Sequence, residues 1–192
     1  MNRVILVVTG LLNRDGNQIV EAHSSATLIL SGNAAILVDT SSIERRAELL
    51  NNLEEIGILP SQVDVVVLTH MHHDHIGNLE LFPEARKLAR VEEGDFDGIE
   101  QITNDMELIP GVTLMHTPGH TEGSMSVVVD SGDATYVITG DAIPTKDNHD
   151  RWIPPGINID PELALSSMKC ICQIGNIVIP GHGEPFTSCD ER

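Results

Sequence analysis

Between His70 and His75 the chain sets four imidazoles and one carboxylate within six positions, directly behind the largely apolar run Val63-Asp64-Val65-Val66-Val67-Leu68. That run reads as a buried strand, so the polar cluster falls where a strand gives way to a loop. Burying that many titratable groups is unfavourable unless each finds a partner. Neutral imidazole and ionised carboxylate are the standard ligands of Zn2+ and related ions. The stretch therefore predicts a metal site, with further ligands to come from elsewhere in the chain.

Three later loops offer them. Pro118-Gly119-His120, Gly140-Asp141-Ala142 and Pro180-Gly181-His182-Gly183 each place one His or Asp beside small residues at the end of an expected strand. Glycine next to a ligand lets the backbone come close. A lone His after a strand is more often structural than ligating. Three such loops behind one His-rich cluster favour a shared site.

The remaining pattern alternates strands and helices. Strands are predicted at 4–8, 18–30 (with an irregular centre at His23-Ser24-Ser25), 34–38, 63–68, 86–91, 106–109, 112–116, 124–129, 135–138 and, as the last one, 176–179. Helices are predicted at 43–56, with Ser42 as N-cap and Gly57 as stop, at 77–81, and at 161–172 with Pro161 in the first turn. Residues 10–17 read as a turn, 92–103 as a loop or lid, and 144–158 as irregular. Several strands are joined by hairpins, so two mixed sheets packed together with helices outside are expected, an α/β four-layer αββα sandwich. Nothing resembles a linker, and residues 1–192 read as one domain.

Charge narrows the function. Eleven Lys and Arg stand against 29 Asp and Glu, a formal net charge of −18. That balance repels phosphate backbones and argues against nucleic acid and anionic membranes as partners. Aromatic residues make up 3% of the chain, so Val, Ile and Leu must fill the core. Three cysteines, Cys170, Cys172 and Cys189, show no framework spacing and read as reduced, ordinary thiols of a cytoplasmic protein. The apolar start Val4–Val8 is short and lacks a cleavage site, so it reads as a first strand and not a signal peptide. No apolar run approaches the length of a membrane span.

These motifs resemble the metallo-β-lactamase fold superfamily. His70-x-His72-x-Asp74-His75 matches its H-x-H-x-D-H signature, and His120, Asp141 and His182 match its three single-ligand motifs in order. Asp39, in Leu37-Val38-Asp39-Thr40, matches its early structural aspartate. The resemblance spans about residues 20 to 185. Within the superfamily, Thr69–Pro83 and Pro180–Phe186 look like the small enzymes named metallo-β-lactamase domain-containing protein 1, whose animal members are implicated in RNA 3′-end cleavage. The resemblance implies one metal on His70, His72 and His120, a second on Asp74, His75 and His182, and Asp141 bridging both. It implies two divalent ions, Zn2+ first, with Fe or Mn as alternatives. It implies a hydrolase that uses a metal-bound hydroxide, with Asp74 orienting the nucleophile and carrying its proton.

No insertion of the RNA-cleaving β-CASP type separates Asp141 from His182, only ten residues follow His182, and His72 stands where flavodiiron proteins carry a Glu. A small ester, thioester, lactone or lactam is thus the expected substrate. An endoribonuclease or phosphodiesterase, and a mononuclear iron oxygenase of the persulfide dioxygenase kind, are the alternatives. A homodimer stays open. His73 is expected outside the ligand set, beside the metal or facing substrate, and His116 buried behind the His120 loop. His23 and His149 are expected at the surface or in loops, His149 in a candidate active-site loop, and Thr69 and Thr117 behind the ligands. Loops 92–104 and 144–160, with Trp152 and Pro154-Pro155-Gly156, are the expected pocket walls, and Trp152 reads equally well as a core cap.

Overall fold

A computed structural model describes residues 1–16 and 18–188, so Cys189 lies outside the described residues. Strands β1 (Asn2–Val8), β2 (Leu11–Asp15), β3 (Gln18–His23), β4 (Ala26–Ser31) and β5 (Ala34–Val38) lead into helix α1 (Arg46–Ile56). Next come β6 (Val65–Val67), the short α2 (His73–Ile76), β7 (Arg86–Arg90), β8 (Glu100–Ile102), β9 (Met106–Ile109) and β10 (Val112–His116). The chain ends through β11 (Met125–Asp130), β12 (Thr135–Ile138), α3 (Lys146–Arg151), α4 (Pro161–Ile174), β13 (Ile177–Ile179) and β14 (Phe186–Thr187). One mixed sheet has the order β1-β4-β5-β6-β7-β8 and the other β14-β13-β12-β11-β10-β9. Strands β2 and β3 form a separate two-stranded ribbon.

The pleat explains the layering. Successive strand residues face opposite sides, and both sides of β5 are buried. Ile36 and Val38 join Val65, Val67, Val112, Leu114, Val127 and Val129 in the cluster between the sheets. Ala35 and Leu37 face the other way and pack with Leu49 and Leu53 of α1. On the outer face of the second sheet, Val137 and Val178 meet Met168 and Ile171 of α4. The expected αββα sandwich is the observed one.

Helix ends follow local chemistry. Gly57 closes α1 with φ 83°, a left-handed conformation that glycine adopts freely. The Asp160 carboxylate caps α4 by accepting from the Glu162 and Leu163 amides. Ser42 makes no capping bond at the Ile43–Arg45 turn that precedes α1; its hydroxyl lies 2.6 Å from His23 Nδ1 instead.

Other elements depart from the sequence pattern. Residues 10–17 contain β2, so the expected turn is one arm of the ribbon. The irregular centre of 18–30 is a full break, because β3 and β4 belong to different sheets. The lid 92–103 ends in β8, whose backbone pairs parallel with β7 while only Ile102 is buried. The irregular 144–158 stretch holds α3, an all-polar helix capped by Thr145, which accepts from the Asn148 amide. The helix expected at 77–81 is a single 3-10 turn at Leu79–Leu81, and a separate short helix, α2, lies inside the His-rich motif at His73–Ile76. Strand β13 is followed by β14 and is not the last. Cys170 is exposed and Cys172 half-buried.

Candidate metal centre

The loops after β5, β6, β10, β12 and β13 open at one edge of the sandwich, because these strands carry their C-terminal ends there. They deliver Asp39, the 70–75 motif, His120, Asp141 and His182 to one place. Backbone bonds knit the loops. The Met125 amide donates to Thr69 O across the sheets, Thr40 N to His75 O, and Gly181 N to Gly140 O. A Cβ at Gly181 would lie 2.1 Å from Asp141 Oδ1, so only glycine lets the two loops approach this closely.

Seven side chains converge. His70, His72 and His120 form one group, Asp74, His75 and His182 another, and His70, His75 and Asp141 a third that overlaps both; within each, the potential ligand atoms lie within 4.8 Å of one another. Asp141 faces two ways, with Oδ2 3.5 Å from His120 Nε2 and Oδ1 3.4 and 3.2 Å from the Nε2 atoms of His75 and His182. Asp74 Oδ2 lies 3.7 Å from His182 Nε2 and 3.9 Å from His75 Nε2.

Each ring except His72 is fixed through its outward nitrogen. His75 Nδ1 donates to Asp39 Oδ2 at 2.7 Å, His120 Nδ1 to Ile157 O at 2.7 Å, and His182 Nδ1 to His23 O at 2.9 Å. Thr69 donates its hydroxyl proton to Asp39 Oδ2, which leaves its oxygen to accept from His70 Nδ1 at 3.1 Å. These partners assign the tautomers. His70 and His120 therefore turn lone pairs inward, yet their Nε2 atoms stand 3.2 Å apart, and His120 Nε2 is 2.9 Å from His72 Nδ1. Lone pairs at that distance repel unless a cation lies between them. His75 Nε2 and Asp141 Oδ1 are buried without a hydrogen-bond partner. Buried polar atoms of this kind are rare and need an explanation. The donor set fits divalent metal ions.

Electrostatics divide the cluster. Burial, reinforced by the neighbouring His75, pushes the His70 pKa well below the usual imidazole value. Burial also lowers that of His72. Both stay neutral, the form that binds metal. Burial opposes charge on His75 and His182 too, but Asp39 and Asp141 outweigh it for His75, and Asp141 for His182, raising both. Burial works against the Asp141 carboxylate, and His182 and His75 reverse this, holding it well below the usual range.

A model of the Metallo-beta-lactamase superfamily matches residues 20–100 and 91–182, nearly the whole chain. The chain belongs to this superfamily. A protein of Methanocaldococcus jannaschii with the name "probable metallo-hydrolase" is 39% identical over 180 residues, covering 92% of this chain and 85% of that one. Metallo-beta-lactamase domain-containing protein 1 of Xenopus laevis is 33% identical over 190 residues, covering 95% and 80%. The crystal structure of Bacillus thuringiensis AiiA with N-decanoyl-L-homoserine bound at the active site superposes with a TM-score of 0.76 at 22% identity, covering 94% and 92%. The chain is a metallo-hydrolase of the superfamily.

A cleft of about 290 Å3 opens over the cluster, lined by His72, Asp74, His120, Asp141 and His182 among others. As expected, His73 is exposed and lines it outside the three ligand groups. Thr69 supports the ligands as expected, and Thr117 sits at the base of the His120 loop, 2.9 Å from the Ser126 hydroxyl. His116 is half-buried, and its Nε2 lies 2.8 Å from Glu122 O. It is thus less buried than expected, and the surface or loop positions expected for His23 and His149 fail. His23 is buried and holds His182 through its carbonyl, and His149 is buried with its ring 4.9 Å from Phe186. Trp152 packs against the cluster beneath α4 and does not line the cleft. The walls are the ribbon (Leu12, Arg14, Ile19, Ala22) and Pro155-Gly156-Ile157, so the 92–104 segment forms none of them.

That segment does something else. The Glu93 carboxylate accepts from the Met71 amide at 2.9 Å and from the Thr121 hydroxyl. Met71 sits between His70 and His72, and Thr121 follows His120. One side chain thus ties together the two loops that carry the nitrogen-only group. A Glu in an acidic turn gives no sequence signal for this.

Proposed function

We propose that this protein is a binuclear metal-dependent hydrolase of a small ester, thioester, lactone or lactam. His70, His72 and His120 would hold one ion, Asp74, His75 and His182 the other, and Asp141 would serve both. The observation that carries this reading is the convergence of His70 Nε2, His72 Nδ1 and His120 Nε2 at 2.9–3.2 Å, with the outward bonds of His70 and His120 turning both of their Nε2 lone pairs inward. The two-way orientation of Asp141 supports a pair of ions over a single one. The nitrogen-rich donor set favours Zn2+. Divalent ions bound there acidify water to near neutrality and polarise a carbonyl oxygen.

The chain's own groups supply the rest. The Asp74 carboxylate faces the cleft and is only partly buried, so it can accept a proton from the attacking water and return it to the leaving group. Asp39, Ile157 and His23 keep three imidazoles in the ligating tautomer. The ribbon and Ile157 give the cleft an apolar wall suited to an acyl or lactone body. The described chain acts in this reading as a single unit, since ligands come from both sheets. Phosphodiester cleavage finds less support, because Arg14 is the only Arg or Lys lining the cleft among the described residues. The relevant test is metal analysis of the purified protein with a panel of esters, thioesters, lactones, β-lactams, short RNAs and a persulfide. Two zinc ions per chain and turnover of an acyl substrate are expected. One iron per chain with oxygen uptake on the persulfide would overturn the reading.

A further inference from the structure

We infer that the cleft selects substrates carrying a carboxylate remote from the scissile bond, and that Arg14 of the β2–β3 ribbon is the residue that seats it. This rests on the hydrolase reading above and names its substrate class more closely.

Register places the side chain. In the ribbon Leu12 pairs with Ala22, Asn13 with Glu21, and then Arg14 with Ile19, so the ladder skips Val20. The skipped residue is a β-bulge, a device that re-aims side chains beside active sites. Its effect is that Leu12, Arg14, Ile19 and Ala22 all line the cleft, while Asn13 and Glu21 bond each other through their side chains and Val20 is 60% exposed. The Arg14 guanidinium rests over Gly156 on the opposite wall. A Cβ there would lie 2.9 Å from both Nη1 and Nη2, so the glycine makes room for the head group.

Charge makes the residue unusual. Arg45, Arg46, Arg86, Arg90 and Arg151 are each ion-paired to a carboxylate, as a chain of net charge −18 allows. Arg14 and the exposed Arg3 have no such partner among the described residues, although carboxylates outnumber cations almost threefold, and of the two only Arg14 lines the cleft. Asp147, which lines the adjoining hollow with Arg14, is taken by Arg151 at 3.0 Å. A guanidinium presents a planar fork that matches a carboxylate. Here it stands in the same cleft as the candidate ligands, with Leu12, Ile19 and Ala22 beside it. The shape suits an acyl compound with a short aliphatic body and a terminal carboxylate. One cation matches one negative charge and not a polyanion.

p-Nitrophenyl butyrate and mono-p-nitrophenyl glutarate differ by one terminal carboxylate and form a direct probe pair. Metal-loaded wild type, Arg14→Ala, Arg14→Lys and Arg14→Glu, matched for metal content, would be compared on both esters. Binding of glutarate and of butyrate would be measured calorimetrically on the same samples. The preference for the glutarate ester in kcat/KM, and for glutarate in Kd, should fall about tenfold or more in Arg14→Ala, as loss of a charge-assisted bond predicts. Arg14→Lys should keep part of it, and Arg14→Glu should lose the most. Equal preference in wild type and Arg14→Ala, in both turnover and binding, overturns the inference. If wild type hydrolyses neither ester, ester hydrolysis fails, and the binding ratio alone decides the role of Arg14.

Discussion

The two halves of the metal cluster solve the same problem differently. His70, His72 and His120 present only nitrogen, and burial keeps His70 and His72 neutral. Asp74, His75 and His182, with Asp141, mix nitrogen and carboxylate, and there the acids draw protons onto the imidazoles. A cation entering the first half relieves repulsion between the inward lone pairs of His70 and His120. A cation entering the second half must compete with protons on His75 and His182. By these directions the first half would keep an ion on acidification more readily than the second.

Asp141 belongs to both halves, so its loss should be the most damaging. Asp141→Asn keeps the shape and removes the shared charge. If that charge is worth about 4 kcal/mol to the transition state, activity should fall ~1,000-fold. Metal content should drop below that of His120→Ala, which strips only the first half. Equal metal content in the two variants would break the comparison.

Next in size is a change in stoichiometry with pH. The raised pKa values of His75 and His182 mean that protons hold the second half more tightly as pH falls through and below those values. Metal there should be lost on acidification and regained as pH rises. The depressed His70 and His72 resist protonation, so the first half should keep its ion to lower pH. Equilibrium dialysis against zinc between about pH 5 and 9 should show two ions falling to one before reaching none. Simultaneous loss of both would count against two distinct halves.

Smaller effects should separate the supports of each half. Glu93→Ala frees the Met71 and Thr121 contacts and should weaken the first ion about 10–100-fold, while Glu93→Gln, which still accepts from the amide, recovers most of it. Asp39→Asn acts directly on His75 and, through Thr69, on His70, so it should weaken the second ion by a similar, about 10–100-fold factor and the first ion by less. Competition with a chromophoric chelator resolves the two steps. Loss of the second ion in Glu93→Ala, or equal loss of both ions in Asp39→Asn, would merge the halves into one unit. The smallest change belongs to His73→Ala, which should leave metal content intact and alter kcat/KM by less than about tenfold, since the ring lies outside the three ligand groups.

Much of this site was legible because ligands are rare residue types held beside Gly and Pro at strand ends. His120, Asp141 and His182 each sit in such a loop, and alternation along strands such as β5 gave the sandwich. What stayed hidden carries no such signature. Glu93 acts through a carboxylate in the ordinary acidic turn Val91-Glu92-Glu93-Gly94. His23 acts through its carbonyl, which any residue would supply. Helix α3 lacks an apolar repeat and is held by its Thr145 cap and by the Lys146–Asp150 and Asp147–Arg151 pairs, spaced i to i+4. The ribbon was hidden because Asn13, Asp15 and Gly16 spell a turn, while its pairing depends on contacts across the cleft.

That ribbon belongs to neither sheet. A lone two-stranded hairpin is marginal in water, so its order depends on the body it leans on, and at its end the His23 carbonyl holds His182. None of the seven converging side chains lies in it. Its residues short of His23 can therefore be exchanged without disturbing the metal cluster, which makes it the natural place for related chains to diverge. Chemistry would be inherited with the sandwich, while the choice of substrate drifts with two short strands. Transplanting residues 11–22 between relatives, with His23 kept, should move substrate preference and leave metal content where it was.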